Sequence, residues 1–188
     1  MAISCRLKIP KSRIGVLIGK NGETKNEIES LAEVQIQVDS EDGSIIILPT
    51  SKTMDPTYVW KARDIIKAIG RGFSADKAFY LIDDNIFLQT IELSGTKNNI
   101  KRLKSRLIGE KGKARRMIEN GTDTYISIFG SRISIIGEIG EVRSAKEVIE
   151  MLIKGSKHGT VYRLLEHKRF RMKQDPMRIW KDPPPEDI

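Results

Sequence analysis

The sequence predicts an α+β protein. It reads as two tandem β-α-α-β-β-α units, each a three-stranded antiparallel sheet with three helices on one face, followed by a basic C-terminal helix. Three observations carry this. Leu17-Ile18-Gly19-Lys20-Asn21-Gly22 returns 90 positions later as Leu107-Ile108-Gly109-Glu110-Lys111-Gly112, and such self-similarity sets the fold. The register holds downstream, where Ile28, Ile36, Val38 and Ile45-Ile46 match Ile118, Ile126, Ile128 and Ile135-Ile136. After the Pro/Ser/Thr-rich connector 48–56 the offset becomes 83, and Val59, Ala62, Ile65, Ile66, Ile69 and Gly72 pair with Val142, Ala145, Val148, Ile149, Leu152 and Gly155.

The elements of one unit follow from periodicity and punctuation. Cys5-Arg6-Leu7-Lys8-Ile9 alternates apolar and polar residues as a half-buried strand does, and Pro10 ends it. Ser12 is placed to cap a short helix through Ile18, which Gly19 to Gly22 break. A second helix from Glu23 buries Ile28, Leu31 and Ala32. Val34, Ile36 and Val38 alternate again, Ser40-Glu41-Asp42-Gly43 turn the chain, and Ile45 to Leu48 make a third strand. Val59 to Ile69 has its apolar residues on one helical face. Residues 1–72 are therefore the first domain. A linker, 73–85, has a short helix capped by Ser74, and 86–155 is the second domain, with a strand in Ile86–Leu93 and a basic helix over Lys97–Ile108. A basic helix, 156–175, presents Val161, Leu164, Leu165 and Phe170 to the second copy, and 176–188 is a flexible tail.

Composition narrows the function. The 188 residues carry 33 Lys+Arg against 25 Asp+Glu, a net charge of +8. No apolar stretch approaches the roughly 18 residues of a membrane span, so the expectation is a cytoplasmic protein with no membrane partner. One cysteine, Cys5, excludes an internal disulfide framework and a cysteine-based zinc site. The excess charge is concentrated: residues 101–116 carry +7 and 156–181 carry +6, leaving the rest of the chain at −5. Clustered cations suggest a polyanion.

The chemistry lies in the repeated Gly-x-x-Gly. Positions without a Cβ let backbone approach a phosphate chain, and the helix that follows aims N–H groups and its positive dipole end at the same place. The bland alternative is a tight turn between helices. Copy one has Lys20 within the loop. Copy two has Glu110 there, but Lys111, Lys113, Arg115 and Arg116 follow at once, and Lys101, Lys104 and Arg106 precede it, so copy two is expected to supply most of the electrostatic attraction. Other chemistries lack support. Gly15 to Asn21 has one residue too few between its glycines for a nucleotide phosphate loop, and no Ser/Thr follows its lysine. His158 and His167 have no partner at ligand spacing. Glu41-Asp42 and Asp83-Asp84 read as turn residues, and Trp60 and Trp180 as packing residues. No catalytic residue, metal or cofactor is expected.

Ile-Gly-x-x-Gly between two helices, in this element order, resembles the type I KH (K-homology) domain. The usual KH pattern asks for apolar residues three, six, fourteen and sixteen positions after the second glycine. The copies offer Lys25, Ile28, Ile36, Val38 and Arg115, Ile118, Ile126, Ile128, both departing at the first position with a cation. The resemblance implies that single-stranded RNA lies against Gly19, Lys20, Asn21, Gly22 and Lys25 in copy one. In copy two it implies Gly109, Glu110, Lys111, Gly112 and their flanking cations. Bases would then meet Ile14, Leu17 and Ile36, and Ile126 in copy two. From Leu103 to Glu166 the chain is similar to the small-subunit ribosome-assembly factors called partner of Nob, in their archaeal form. That resemblance implies precursor ribosomal RNA near the small-subunit 3′ end as ligand. It also implies a maturation endonuclease and a translation initiation factor alpha subunit as partners. A general single-stranded nucleic-acid regulator or RNA-decay adaptor, and a protein-interaction module with vacant grooves, are the competing readings.

Overall fold

The computed structural model describes residues 4–51, 53 and 55–174, with side chains to 167. The first copy runs β1 (Cys5–Lys8), α1 (Lys11–Ile18), a 3-10 turn (Lys20–Gly22), α2 (Glu23–Leu31), β2 (Val34–Val38), β3 (Ser44–Pro49) and α3 (Thr57–Gly70). A short α4 (Ala75–Phe79) leads to the second copy: β4 (Ile86–Glu92), α5 (Lys97–Ile108), a 3-10 turn (Glu110–Gly112), α6 (Lys113–Thr122), β5 (Tyr125–Phe129), β6 (Arg132–Glu138) and α7 (Ile139–Ile153). Then comes α8 (His158–Gln174). Both sheets are three-stranded and antiparallel, ordered β1-β3-β2 and β4-β6-β5, so the last-formed strand of each unit sits in the middle.

The backbone repeats as the sequence does. Among the described residues, the four non-glycine residues with left-handed φ are Asn21 and Lys111 (54° and 49°) and Glu33 and Asp123 (49° and 52°), two pairs at the offset of 90. Gly72 and Gly155, at φ 99° and 104°, keep the offset of 83. One differing detail concerns the start of α1: it begins at Lys11 after Pro10, with no side-chain cap, so Ser12 lies inside the helix. Ser74 precedes α4 in extended conformation but likewise makes no side-chain cap bond, whereas Thr96 accepts from the Asn99 amide at α5.

The chain divides into two compact units, Met1–Ser94 with Tyr125–Gly137, and Gly95–Thr124 with Glu138–Ile188. The first holds a core of Leu17, Ile28, Ile36, Ile45, Ile47, Ile65, Ile66 and Ile69, which the apolar stripes of α1, α2 and α3 lay on the sheet. Ile136 of β6 joins that core, and Tyr125 of β5 packs against it. The Ser127 hydroxyl donates to the Arg71 carbonyl at 2.9 Å, and Tyr125 stacks on Tyr80 with centroids 5.3 Å apart. Gly72 makes this approach possible, because a Cβ there would stand 2.7 Å from Ser127 Oγ and 2.9 Å from Phe129 Cβ. The alternation of β6 is consequently lost, and Ile133 through Gly137 are all buried. In the second unit, Val142, Ala145, Val148, Ile149 and Leu152 of α7 are buried, as are Val161 and Leu165 of α8. A Cβ on Gly121 of α6 would meet Leu165 at 3.2 Å, which places α8 closely on α6. Phe170 and Trp180 lie outside the described side chains. Trp60 is 42% exposed, not packed inside as expected: it sits on the outer side of α3 with the Arg63 guanidinium 4.6 Å over its ring.

Candidate nucleic-acid interface

The two Gly-x-x-Gly loops have the same backbone. Gly19 and Gly109 take φ/ψ of 73°/−178° and 69°/178°, Asn21 and Lys111 take 54°/24° and 49°/28°, and Gly22 and Gly112 take 84°/6° and 77°/15°. Three of the four loop residues are thus left-handed. Asparagine enters that region more readily than lysine, so copy two carries the more strained loop. The Arg116 guanidinium braces it, donating to the Lys111 carbonyl at 2.9 Å.

The glycines of each loop have different reasons. A Cβ on Gly19 would lie 2.4 Å from Thr24 Oγ1 and 2.8 Å from Thr24 N, and one on Gly109 would lie 2.7 Å from Ala114 Cβ and 2.8 Å from Ala114 N. The first glycine therefore presses on the start of the following helix. A Cβ on Gly112 would meet nothing within 4 Å, and one on Gly22 only the Asn26 side chain at 3.7 Å. The second glycine is the one that faces open space, where a phosphate can approach the amino ends of α2 and α6.

Around these loops the expected site residues separate into two groups. Lys20, Asn21, Lys101, Glu110, Lys111, Lys113 and Arg116 are exposed, and Lys104 is half-buried. Leu17 and Ile36 are buried completely, at 0% and 1%, and Ile14 and Ile126 nearly so. In this structure they lie in the core beneath the surface that the loops frame. The Arg106 guanidinium donates to the Ser156 carbonyl and ties α5 to the turn before α8.

The shared basic departure has a structural explanation. Lys25 Nζ lies 3.5 Å from Glu29 Oε1, the oxygen that accepts the Ile36 amide at 2.6 Å. Because β2 is an edge strand, this carboxylate occupies part of the open edge. In copy two Arg115 pairs with Glu119 at the same i,i+4 spacing, 3.5 Å. Both cations stand on half-buried ion pairs and neutralise a glutamate rather than standing free. The turn carboxylates behave as turn residues: Asp42 accepts from the Ser44 hydroxyl and amide, each at 2.7 Å, which holds its carboxyl down at about 2. Asp84 Oδ1 lies 2.6 Å from Lys61 Nζ.

Comparison with known proteins agrees with this architecture. Residues 86–170 match the eukaryotic type KH-domain (KH-domain type I) and residues 9–84 the Krr1 KH1 domain. The KH domain-containing protein MJ0443 of Methanocaldococcus jannaschii is 44% identical over 93% of this chain and 78% of its own length. The pre-rRNA-processing protein pno1 of Schizosaccharomyces pombe is 30% identical over 75% of the chain, which spans 61% of that longer protein. Among solved structures, the a/eIF2alpha-aDim2p-rRNA complex from Pyrococcus horikoshii OT3 contains a chain 43% identical, with a TM-score of 0.86 over 91% of this chain and 96% of that one. Two KH domains in register, of the PNO1 and KRR1 types, place this chain in the KH-domain family to which the archaeal protein MJ0443 and the PNO1/Dim2 ribosome-assembly factors belong.

Proposed function

We propose that this protein binds single-stranded RNA through its two Gly-x-x-Gly loops and acts in ribosome assembly, on precursor ribosomal RNA near the 3′ end of the small-subunit RNA, with no catalysis of its own. The observation that carries the reading is the identical left-handed geometry of the two loops in a chain 43% identical to an aDim2p found in complex with rRNA. A KH loop clamps about four nucleotides. Here the clamp would consist of Gly22 or Gly112, with no side chain in the way, the amino end of the helix that follows, and an exposed lysine within the loop, Lys20 or Lys111. Lys111 and Lys113 supply charge in copy two, where Glu110 opposes it. The a/eIF2alpha subunit in the related complex supports a translation initiation factor as partner. By family resemblance a maturation endonuclease is a second, and the cytoplasm is the place.

Sequencing the RNA that co-purifies with the tagged chain tests this. Enrichment of small-subunit 3′ sequences is the expected result, and dispersed messenger fragments would replace the assembly reading with that of a general regulator.

A further inference from the structure

A second basic feature, built from none of the loop residues, lies wholly within the first compact unit. A cleft of about 560 Å³ opens where the end of β1 and the outer turns of α3 face the hairpin tip between β5 and β6. Lys8, Arg63, Lys67, Arg71 and Arg132 line it, and no carboxylate does. Three of these cations have partners outside the cleft wall: Lys8 with Asp42 at 3.3 Å, Arg63 with Asp64 at 2.8 Å and Arg132 with Glu92 at 2.7 Å. Lys67 has no ion pair or hydrogen bond among the described residues, and Arg71 interacts with Glu92 only at longer range, its Nη1 shielded from solvent without a hydrogen bond.

The wall is built to hold Arg71 there. Its carbonyl accepts the Ser127 hydroxyl, Gly72 admits β5 against the end of α3, and Gly130, at φ 59°, makes the two-residue hairpin turn that brings Arg132 across. Burial first, and then the nearby Arg132, pulls the Arg71 guanidinium below its ordinary range, against an opposing pull from Glu92. Glu92 sits beside Arg132 and within electrostatic reach of Arg71, so it offsets one of the two guanidiniums. The rest, with Lys67, leave a net positive wall that suits an anion with several oxygens, because each guanidinium presents a rigid fork that matches phosphate.

We infer that this cleft is a phosphate-binding site that takes a backbone phosphate of the same RNA, beyond the nucleotides clamped by the Gly-x-x-Gly loops. The inference rests on the proposed RNA-binding function and extends the RNA path onto the face formed by α3 and the β5–β6 hairpin.

The test compares the full chain with its Lys67→Gln/Arg71→Gln variant, two side chains without an ion pair or hydrogen bond among the described residues, with its Tm measured alongside. Fluorescence anisotropy is read with single-stranded RNAs of about four and about twelve nucleotides, across a salt series. The variant is expected to bind the short RNA within about twofold of the parent, to bind the long RNA about five- to tenfold more weakly, and to lose about 1 from its salt slope. Inorganic pyrophosphate is expected to weaken the parent's long-RNA binding and leave the variant's unchanged. Unchanged long-RNA affinity in the variant overturns the inference. So does pyrophosphate binding that Lys67→Gln/Arg71→Gln abolishes without affecting RNA, which assigns the cleft to a free phosphate ligand. Competition by polyglutamate equal to that by pyrophosphate would also overturn it, in favour of an acidic protein segment. A Gly22→Asp/Gly112→Asp variant that keeps its short-RNA affinity removes the loop reading instead, and a parent that binds neither RNA overturns both.

Discussion

Replacing the two glycines of the second loop one at a time, Gly109→Ala and Gly112→Ala, separates two roles that a Gly-x-x-Gly pattern leaves merged. Both residues sit at left-handed φ, 69° and 77°, so each alanine costs about 1–2 kcal/mol in backbone strain. Gly112 carries no further cost, because its new Cβ meets nothing within 4 Å. At Gly109 the Cβ would stand 2.7 Å from Ala114 Cβ and 2.8 Å from Ala114 N, a backbone atom and a methyl that have no rotamer to escape into. Overpacking of this kind adds about 1–3 kcal/mol. Gly109→Ala should therefore lose about 2–5 kcal/mol of unfolding free energy in urea titrations and Gly112→Ala only about 1–2, with unchanged m values. Equal losses in the two variants would refute the placement of the first glycine against the helix.

Three further outcomes follow from the same geometry. Glu110→Lys changes the exposed loop charge by two units, and at about 7 Å in water each unit contributes about 0.6 kcal/mol, so RNA affinity at low salt should rise about sevenfold by anisotropy. Lys111→Gln should weaken RNA binding and reduce the salt slope by about 0.7, whereas Arg106→Gln should leave the slope alone and lower stability by about 1–3 kcal/mol, since it abandons the Ser156 carbonyl. Asp42, whose carboxyl is held down at about 2 chiefly by the Ser44 hydroxyl and then by the Ser44 amide, contributes stability that is present above its unfolded value near 4 and lost as pH falls through 2. The difference in urea stability between the parent and Asp42→Asn should shrink between pH 4 and pH 2, and a constant difference would contradict that role.

The fold was legible where the pattern repeats. The offsets of 90 and 83 reappear in the backbone itself, in the pairs Asn21/Lys111, Glu33/Asp123 and Gly72/Gly155, because a left-handed residue at a given place in the unit is needed in both copies. Periodicity also identified the apolar positions of α1 and β2. It carries no information on whether a position such as Leu17 or Ile36 lies under the surface or on it, since that depends on how closely the helix approaches the sheet. Counting charges located the basic run of α5 and α6, yet it could not distinguish Arg106, which is tied to a carbonyl, and Arg115, which is tied to Glu119, from Lys111 and Lys113, which are exposed. The cleft was invisible for a different reason. Lys8, Lys67, Arg71 and Arg132 come from β1, α3 and the β5–β6 hairpin, and only the packing of β5 and β6 within the first unit brings them together.

The most direct measurement of the central claim is the affinity of the full chain and its Gly22→Asp/Gly112→Asp variant for a single-stranded RNA with the small-subunit 3′ sequence. It is best made by anisotropy at two salt concentrations. Both positions have room for a Cβ but sit at left-handed φ, so the variant should stay folded with a loss of about 1–2 kcal/mol at each site while placing a carboxylate where each phosphate is expected. A loss of at least about tenfold, measured well below a Tm that falls by about 4–16 °C, is the predicted result. Equal affinity and an equal salt slope in the two proteins would contradict it.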